Sequence, residues 1–229
     1  MVDKDTQKLN VYQSEIIAKE YNNRWRGVDG RKRNARKASA IFLAYDKLQD
    51  FYSDNTFRNV LDVPCGTGRF SNLLKEKGTT TIGLDLSLTM IEEAKLAHKD
   101  EHYLCGDLKK LPFQDNSFDL AMCIRMFHLV SDPELRIQLL SELRRVCKYG
   151  AIIDYRHCHT IRIMGRKLRY KMGLYKEWPN NPSIKQIYSE LAQSGWNPIG
   201  KIQVHYAPLL SDKLIFPVVP NDVKNNTPN

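Results

Sequence analysis

The stretch Leu61 to Phe70, LDVPCGTGRF, decides how the rest of the chain is read. An apolar run, FRNVLDV (57–63), ends in an acid, a proline and two glycines. It then feeds GRFSNLLKEKG (68–78), which has the pattern of a helix closing on Gly78. A strand that passes through a small-residue turn into a helix aims backbone N–H groups at whatever lies above the sheet edge. Gly66 and Gly68 carry no Cβ, so another molecule can approach the backbone closely at both.

Outward from this turn the same alternation repeats. TTIGLDL (80–86), EHYLC (101–105), FDLAMCI (118–124) and YGAIIDY (149–155) are short apolar or β-branched runs. Between them, LTMIEEAKLAHKD (88–100) and PELRIQLLSELRRVCK (133–148) have helical periodicity, the second opening with Pro133 after Ser131 and Asp132. Further on, IKQIYSELAQSG (184–195) reads as a helix stopped by Gly195, and WNPIGKIQVHYAP (196–208) with KLIFPVV (213–219) as an antiparallel pair. Residues 11–26 and 31–50 read as helices before the first strand, with Gly27 and Gly30 between them. The order predicts an α/β, Rossmann-like sheet of seven strands, mostly parallel, with helices on both faces and an antiparallel pair at the C-terminal end. The organisation expected is an N-terminal helical lid or substrate segment (1–56), one domain over 57–219, and a frayed polar tail (220–229).

Bulk properties narrow the field. At 229 residues the chain suits one large domain. No run of about 18 apolar residues and no apolar leader is present, so a cytoplasmic protein is expected. The five cysteines, Cys65, Cys105, Cys123, Cys147 and Cys158, read as reduced thiols. No metal site is expected at His157, Cys158 and His159, because neighbours on a strand point to opposite faces. The net charge of +9 lies outside residues 57–150, where 13 Lys/Arg balance 13 Asp/Glu. Arg24 to Lys37 holds seven basic residues against Asp29 alone, and Arg156 to Lys176 holds seven with no acid. Such stretches are either solvated helix faces or a basic rim that attracts an anion.

Two nucleotide-type readings of the turn compete. The dinucleotide fingerprint GxGxxG would begin at Gly66 and Gly68 but meets Ser71 where a third glycine or alanine is needed. Asp85, closing TIGLD, is spaced to accept hydrogen bonds from a ribose, which many adenosine cofactors would satisfy. Adding Asp62, the GDLKKLPF segment with Asp107, and FQDNSFDLAMCIRMFHLVSDPE (113–134), the chain over about 57–219 resembles the class I methyltransferases that use S-adenosylmethionine. Within these it is similar to the group acting on quinones, lipids and other small molecules.

The resemblance implies a cofactor site. Asp62, Pro64, Cys65, Gly66 and Gly68 would surround the methionine part, Asp85 the ribose, and Leu86 and Met90 the adenine. Asp107 and Leu108 would meet the adenine edge, while Cys123, Ile124 and Arg125 would line the place where the sulfonium meets the acceptor. Pro64 departs from the family pattern, which has glycine there; it supplies no N–H and holds φ negative, so one backbone contact is lost.

His128 is the candidate base, since it follows the fourth strand and imidazole titrates near working pH; a packed helix-cap histidine is the alternative. Tyr155, Arg156 and His157 end the fifth strand and should border the acceptor, where Arg125 or Arg156 could clamp a carboxylate or phosphate. Tyr12, Tyr21 and Trp25 fall in the segment that serves as a lid in the resembled family. The expected acceptor is an anionic small molecule or lipid-linked group, and IRIMGRKLRYKMGLY (161–175) mixes apolar and basic residues as interfacial helices do, which adds a membrane surface to the partners considered. RNA ranks below these, because no RNA-binding module accompanies the arginines. A NAD-dependent oxidoreductase or a non-catalytic protein on the same fold are the readings from other classes.

Overall fold

A computed structural model of the chain describes residues 20–21, 25, 27–53, 57–174, 178, 180–205, 207 and 211–223. Tyr12, most of the 11–26 helix and residues 224–229 of the tail lie outside the described residues. The first long element is helix α1 (Val28–Phe51). It starts three residues earlier than the sequence suggests, with Gly30 inside its first turn. A Cβ on Gly30 would sit 2.7 Å from the Trp25 backbone, so glycine here serves packing and does not break the helix. Ala40, Ile41, Ala44, Tyr45 and Leu48 recur at helical spacing and form its buried face, with Lys37 in the same register.

The sheet is built from β1 (Asn59–Asp62), β2 (Thr80–Asp85), β3 (His102–Cys105), β4 (Phe118–Cys123), β5 (Cys147–Arg156), β6 (Trp196–Pro198), β7 (Ile202–Gln203) and β8 (Lys213–Pro220). Its order is β3-β2-β1-β4-β5-β8-β6, with β7 also paired to β8. The first five strands are parallel and β8 runs antiparallel to β5 and β6. The expected fold class holds. The strand count is eight because 196–208 pairs with β8 as two short pieces, β6 and β7.

Helices α2 (Leu88–Ala97), α3 (Pro133–Val146), α4 (Ile161–Lys171) and α5 (Ile184–Gln193) complete the fold. Their starts are legible in the capping residues: Ser87 accepts from Met90 N, Asp132 from Glu134 N, Thr160 from Ile163 N, and Ser183 forms a reciprocal box with Gln186. One expected helix is absent. After Gly68 the chain makes successive turns whose hydrogen bonds close three residues back, such as Leu73 N to Phe70 O and Lys77 N to Leu74 O, ending in a 3₁₀ turn at Lys75–Lys77. Here Ser71 and Asn72 direct their side chains to Asp62 and His98, and such tertiary bonds compete with regular helix.

Alternation along β4 and β5 sorts the core. Leu120, Met122 and Ile152 face α1, whereas Ala121, Cys123, Ile153 and Tyr155 face the layer of α3 and α5. After β1 the chain proceeds outward through β2 and β3 and returns to β4 on the other side of β1. The strand order therefore reverses beside β1, and open α/β sheets bind ligands at the C-terminal edge of such a reversal.

Candidate active site

At that edge a cleft of about 80 Å³ is lined by Asp62, Pro64, Cys65, Gly66, Asp85, Met90, Ile124 and Arg125, together with Tyr21, Arg69, Phe70 and Leu129. The positive φ of Gly66, +56°, suits glycine, and a Cβ there would meet no atom within 4 Å. Its lack of a side chain leaves space open in the cleft. Gly68 has a different reason to be glycine: at φ +72° its Cβ would lie 2.6 Å from the Tyr103 hydroxyl.

Asp62 is buried at the end of β1 and accepts a hydrogen bond of 2.8 Å from the Ser71 hydroxyl. Burial pushes its carboxyl up to about 7, with the nearby Asp85 adding to the shift and Ser71 and Arg69 opposing it. Asp85 accepts from Gly66 N at 2.8 Å through one oxygen and from Ser87 N at 2.9 Å through the other. The acid thus ties the glycine turn to the start of α2. Burial raises its carboxyl too, against these backbone donors.

Arg69 lines the same cleft as the two acids. Its guanidinium lies 3.9 Å from the centroid of the Trp25 ring and 4.3 Å from that of Phe70. Its buried Nη1 has no hydrogen-bond partner among the described residues. Arg125, whose φ is +68°, also reaches the Trp25 and Tyr21 rings, at 5.1 and 5.5 Å. Residues of the N-terminal segment therefore border the cleft.

Beside this cleft lies a cationic cluster around Asp154, with Asp212 close to Arg156 and Lys213. Asp154, on the α1 face of β5, accepts from Lys37 Nζ at 2.7 Å and from Arg125 N at 3.1 Å. Burial pushes the Asp154 carboxyl up, but the Lys37 ammonium and its hydrogen bond, with the charge of Arg156, outweigh that and hold it below the usual carboxylate range. For Lys37 burial is the larger effect and lowers the ammonium. The two directions differ; the one that stands is Asp154's, because it has two donors and several cations around it whereas Lys37 answers to one carboxylate. His128 is pulled down to about 3 by burial, then by the charge of Arg156, and stays neutral at working pH. Lys213 falls to about 8 through burial and the same neighbours.

A second, wider cavity of about 490 Å³ opens next to these residues, between Arg33 and Arg36 of α1, Arg162 of α4, and His205, Asp212 and Lys213. The two basic stretches of the sequence thus meet on one rim.

Other anticipated site residues fall outside the first cleft's lining. Leu86 and Asp107 are exposed, Asp107 capping its own turn by accepting from Lys109 N, while Leu108 and Cys123 are buried in the core. Tyr155 projects to the opposite face of the sheet, where its hydroxyl donates to Glu190 at 2.8 Å and its ring stacks on Phe127. His157 and His159 stand with ring centroids 6.1 Å apart, and no group that could hold a metal occurs among the described residues. Three residues at the site were not singled out from sequence: Arg69, Lys37 and Asp154. The available signals were an acid within an apolar strand run and a lysine in the buried register of α1.

Residues 61–153 match the methyltransferase domain family. That stretch is thus similar to the class I, S-adenosylmethionine-dependent methyltransferases, and the sheet order and the position of the cleft agree with the likeness. The malonyl-[acyl-carrier protein] O-methyltransferase of Salmonella typhimurium is 36% identical over 110 residues, covering 48% of this chain and 43% of that protein. The demethylmenaquinone methyltransferase of Renibacterium salmoninarum is 37% identical over 93 residues, or 41% and 38% of the two chains. This chain therefore aligns with less than half the length of either relative. Among solved structures, the magnesium protoporphyrin IX methyltransferase of Synechocystis with bound SAH superposes with a TM-score of 0.70 at 16% identity, covering 95% of this chain and 100% of that one.

Proposed function

We propose that the protein transfers a methyl group from S-adenosylmethionine to an anionic acceptor, either a small molecule or a lipid-linked group. The observation that carries the reading is that Asp62 and Arg69 line one cleft together with Gly66 and Asp85. The amino-acid end of the cofactor bears an ammonium and a carboxylate. Asp62 suits the first, and the unpartnered Nη1 of Arg69 suits the second. Asp85, fixed by two backbone donors, has lone pairs left for ribose hydroxyls.

When bound, the cofactor supplies the reactive sulfonium methyl, and the chain's own residues align the acceptor and exclude water. Arg125, Arg156, Lys37 and Lys213 place positive charge beside the cleft, which favours an oxyanion as the acceptor. Such an acceptor arrives deprotonated and needs no base. This agrees with His128, which at about 3 is too weakly basic to take up a proton readily and serves better as a neutral wall or hydrogen-bonding group. The named relatives that act on malonyl-[acyl-carrier protein] and demethylmenaquinone are compatible with an acidic or lipid-linked acceptor.

The test is to incubate the protein with methyl-labelled S-adenosylmethionine and a cell extract, then count label in lipid, small-molecule, protein and RNA fractions. Label in the first two, lost with Asp62→Asn, is expected. Label confined to RNA would reassign the arginines to phosphate contacts.

A further inference from the structure

Helix α4 buries one apolar side chain and leaves an apolar row exposed. Ile163 is its only buried residue. Ile161, Met164, Leu168 and Met172 are 58–66% exposed, a degree unusual for four large apolar side chains on one helix. At about 100° per residue these four fall within an arc of about 80°, roughly opposite Ile163. Basic residues flank the row on both sides, Arg162 and Arg169 along one edge and Lys167 and Lys171 along the other, and α4 contains no acid. Beyond its end Leu174 is 68% exposed, and Trp178 packs edge-on against Tyr170 at 5.4 Å with Lys167 over its ring.

We infer that α4 docks the protein onto an anionic lipid surface, its apolar row entering the interface and its flanking cations meeting the headgroups. Both halves of that complementarity lie on one element. An acidic protein would match the cations but would leave most of the apolar row unexplained. A neutral apolar partner would leave the cations without partners. An amphipathic helix with a basic border and nearby Trp and Tyr suits the boundary between acyl chains and headgroups.

Docking in this pose has a consequence for access. Arg162, in the first turn of α4, lines the wide cavity together with Arg33 and Arg36 of α1. Bringing α4 to a bilayer brings the mouth of that cavity to the headgroup layer, where an amphiphilic acceptor with an acidic head could enter from the membrane. This last step rests on the proposed methyl transfer; the docking itself does not.

The experiment is co-sedimentation of the full chain with vesicles of phosphatidylcholine alone and with vesicles of equal parts phosphatidylcholine and phosphatidylglycerol. Variants Met164→Glu/Leu168→Glu and Arg169→Glu/Lys171→Glu are compared with the parent. Since each basic residue near an anionic surface contributes roughly fivefold, the parent should prefer the mixed vesicles by about tenfold or more. The apolar-row variant should lose binding to them by at least about tenfold, and the charge variant should lose the preference while retaining its fold by circular dichroism. S-adenosylmethionine affinity, measured on the same samples, should be unchanged, so failure of docking and failure of the cofactor reading are seen separately. Equal sedimentation with both vesicle types, or no effect of Met164→Glu/Leu168→Glu, would overturn the inference. So would protein left in the supernatant yet retained by an immobilised acidic protein through the same α4 residues, which would assign the face to a protein partner.

Discussion

Lys37 of α1 and Asp154 of β5 form an ion pair at 2.7 Å with both side chains nearly sealed from solvent, 117 positions apart in sequence. The same carboxylate accepts from Arg125 N, where the backbone turns through φ +68° and delivers the Arg125 side chain to the cleft. One acid therefore fastens the N-terminal helix to the sheet and steadies a left-handed residue at the site. That conformation costs roughly 1 kcal/mol or more for a non-glycine residue. Lys37→Met, leaving Asp154 buried and without its ammonium, should destabilise the protein by about 3–5 kcal/mol. Lys37→Met/Asp154→Asn should recover most of that, because the amide oxygen can still accept from Arg125 N. Urea denaturation of the three proteins tests this, and equal losses in the single and double variants would refute the pairing account. Since Asp154's carboxyl is depressed, its contribution is present above the unfolded value near 3.8 and is lost as pH falls through the lower folded value.

Asp62 gives the opposite pH behaviour. Its folded value of about 7 lies above the ordinary 3.8, so the folded chain binds the extra proton between those values and stability falls as pH rises from about 4 to about 7. Binding of a cationic group beside Asp62 should instead strengthen through the same window as the carboxylate ionises. Calorimetric titration with S-adenosylmethionine should show affinity rising up to about pH 7, with proton release below it. Asp62→Asn should flatten the profile and weaken binding at pH 8. A pH-independent affinity in the parent would show that Asp62 does not meet the ammonium.

The two glycines of the turn should respond differently to the same change. Gly66→Ala meets no atom, so it should lower stability by only about 1 kcal/mol for its positive φ while its methyl enters the cleft and weakens cofactor binding. Gly68→Ala runs into the Tyr103 hydroxyl at 2.6 Å and should destabilise by about 1–3 kcal/mol in addition to its effect on the turn. Adding Tyr103→Phe should relieve part of the Gly68→Ala loss and none of the Gly66→Ala loss. Thermal melts and cofactor titrations of the set separate the two effects, and identical stability losses at both glycines would sink the distinction.

Much of this architecture was legible because it is local. Apolar runs, capping residues and the LDVPCGTGRF turn fix strands and helix starts from near neighbours in sequence. Asp62, Gly66 and Asp85 could be placed at one edge because strand ends in a parallel sheet share a direction. The Lys37–Asp154 pair was not legible, since it joins α1 to β5 across a distance no local pattern encodes. The missing helix after Gly68 failed for a related reason: Ser71 and Asn72 have helical periodicity, and only the fold supplies the Asp62 and His98 that draw their side chains away. Tyr155 shows how one residue of alternation decides a role. Asp154 and Arg156 turn toward α1 and the cationic cluster, and the tyrosine between them turns to the other layer.

There, Tyr155 joins Glu190 and Arg136 in a buried network that locks α3 and α5 to the sheet. Arg136 donates to both Glu190 oxygens, at 2.9 and 2.5 Å, and to the carbonyls of Val130 and Ser131. Tyr155 donates its hydroxyl to the same carboxylate at 2.8 Å. Glu190→Gln removes the counter-charge of a buried guanidinium and should cost about 3–5 kcal/mol. Tyr155→Phe removes one donor from a carboxylate that keeps two others, so about 1–2 kcal/mol is expected. Neither change touches the cleft lining, so methyl-transfer kcat and KM of Tyr155→Phe, measured below its melting temperature, should stay within about twofold of the parent. A large fall in kcat with little loss of stability would instead place the Tyr155 hydroxyl in the chemistry, and would require the β5 end to rearrange when the acceptor binds.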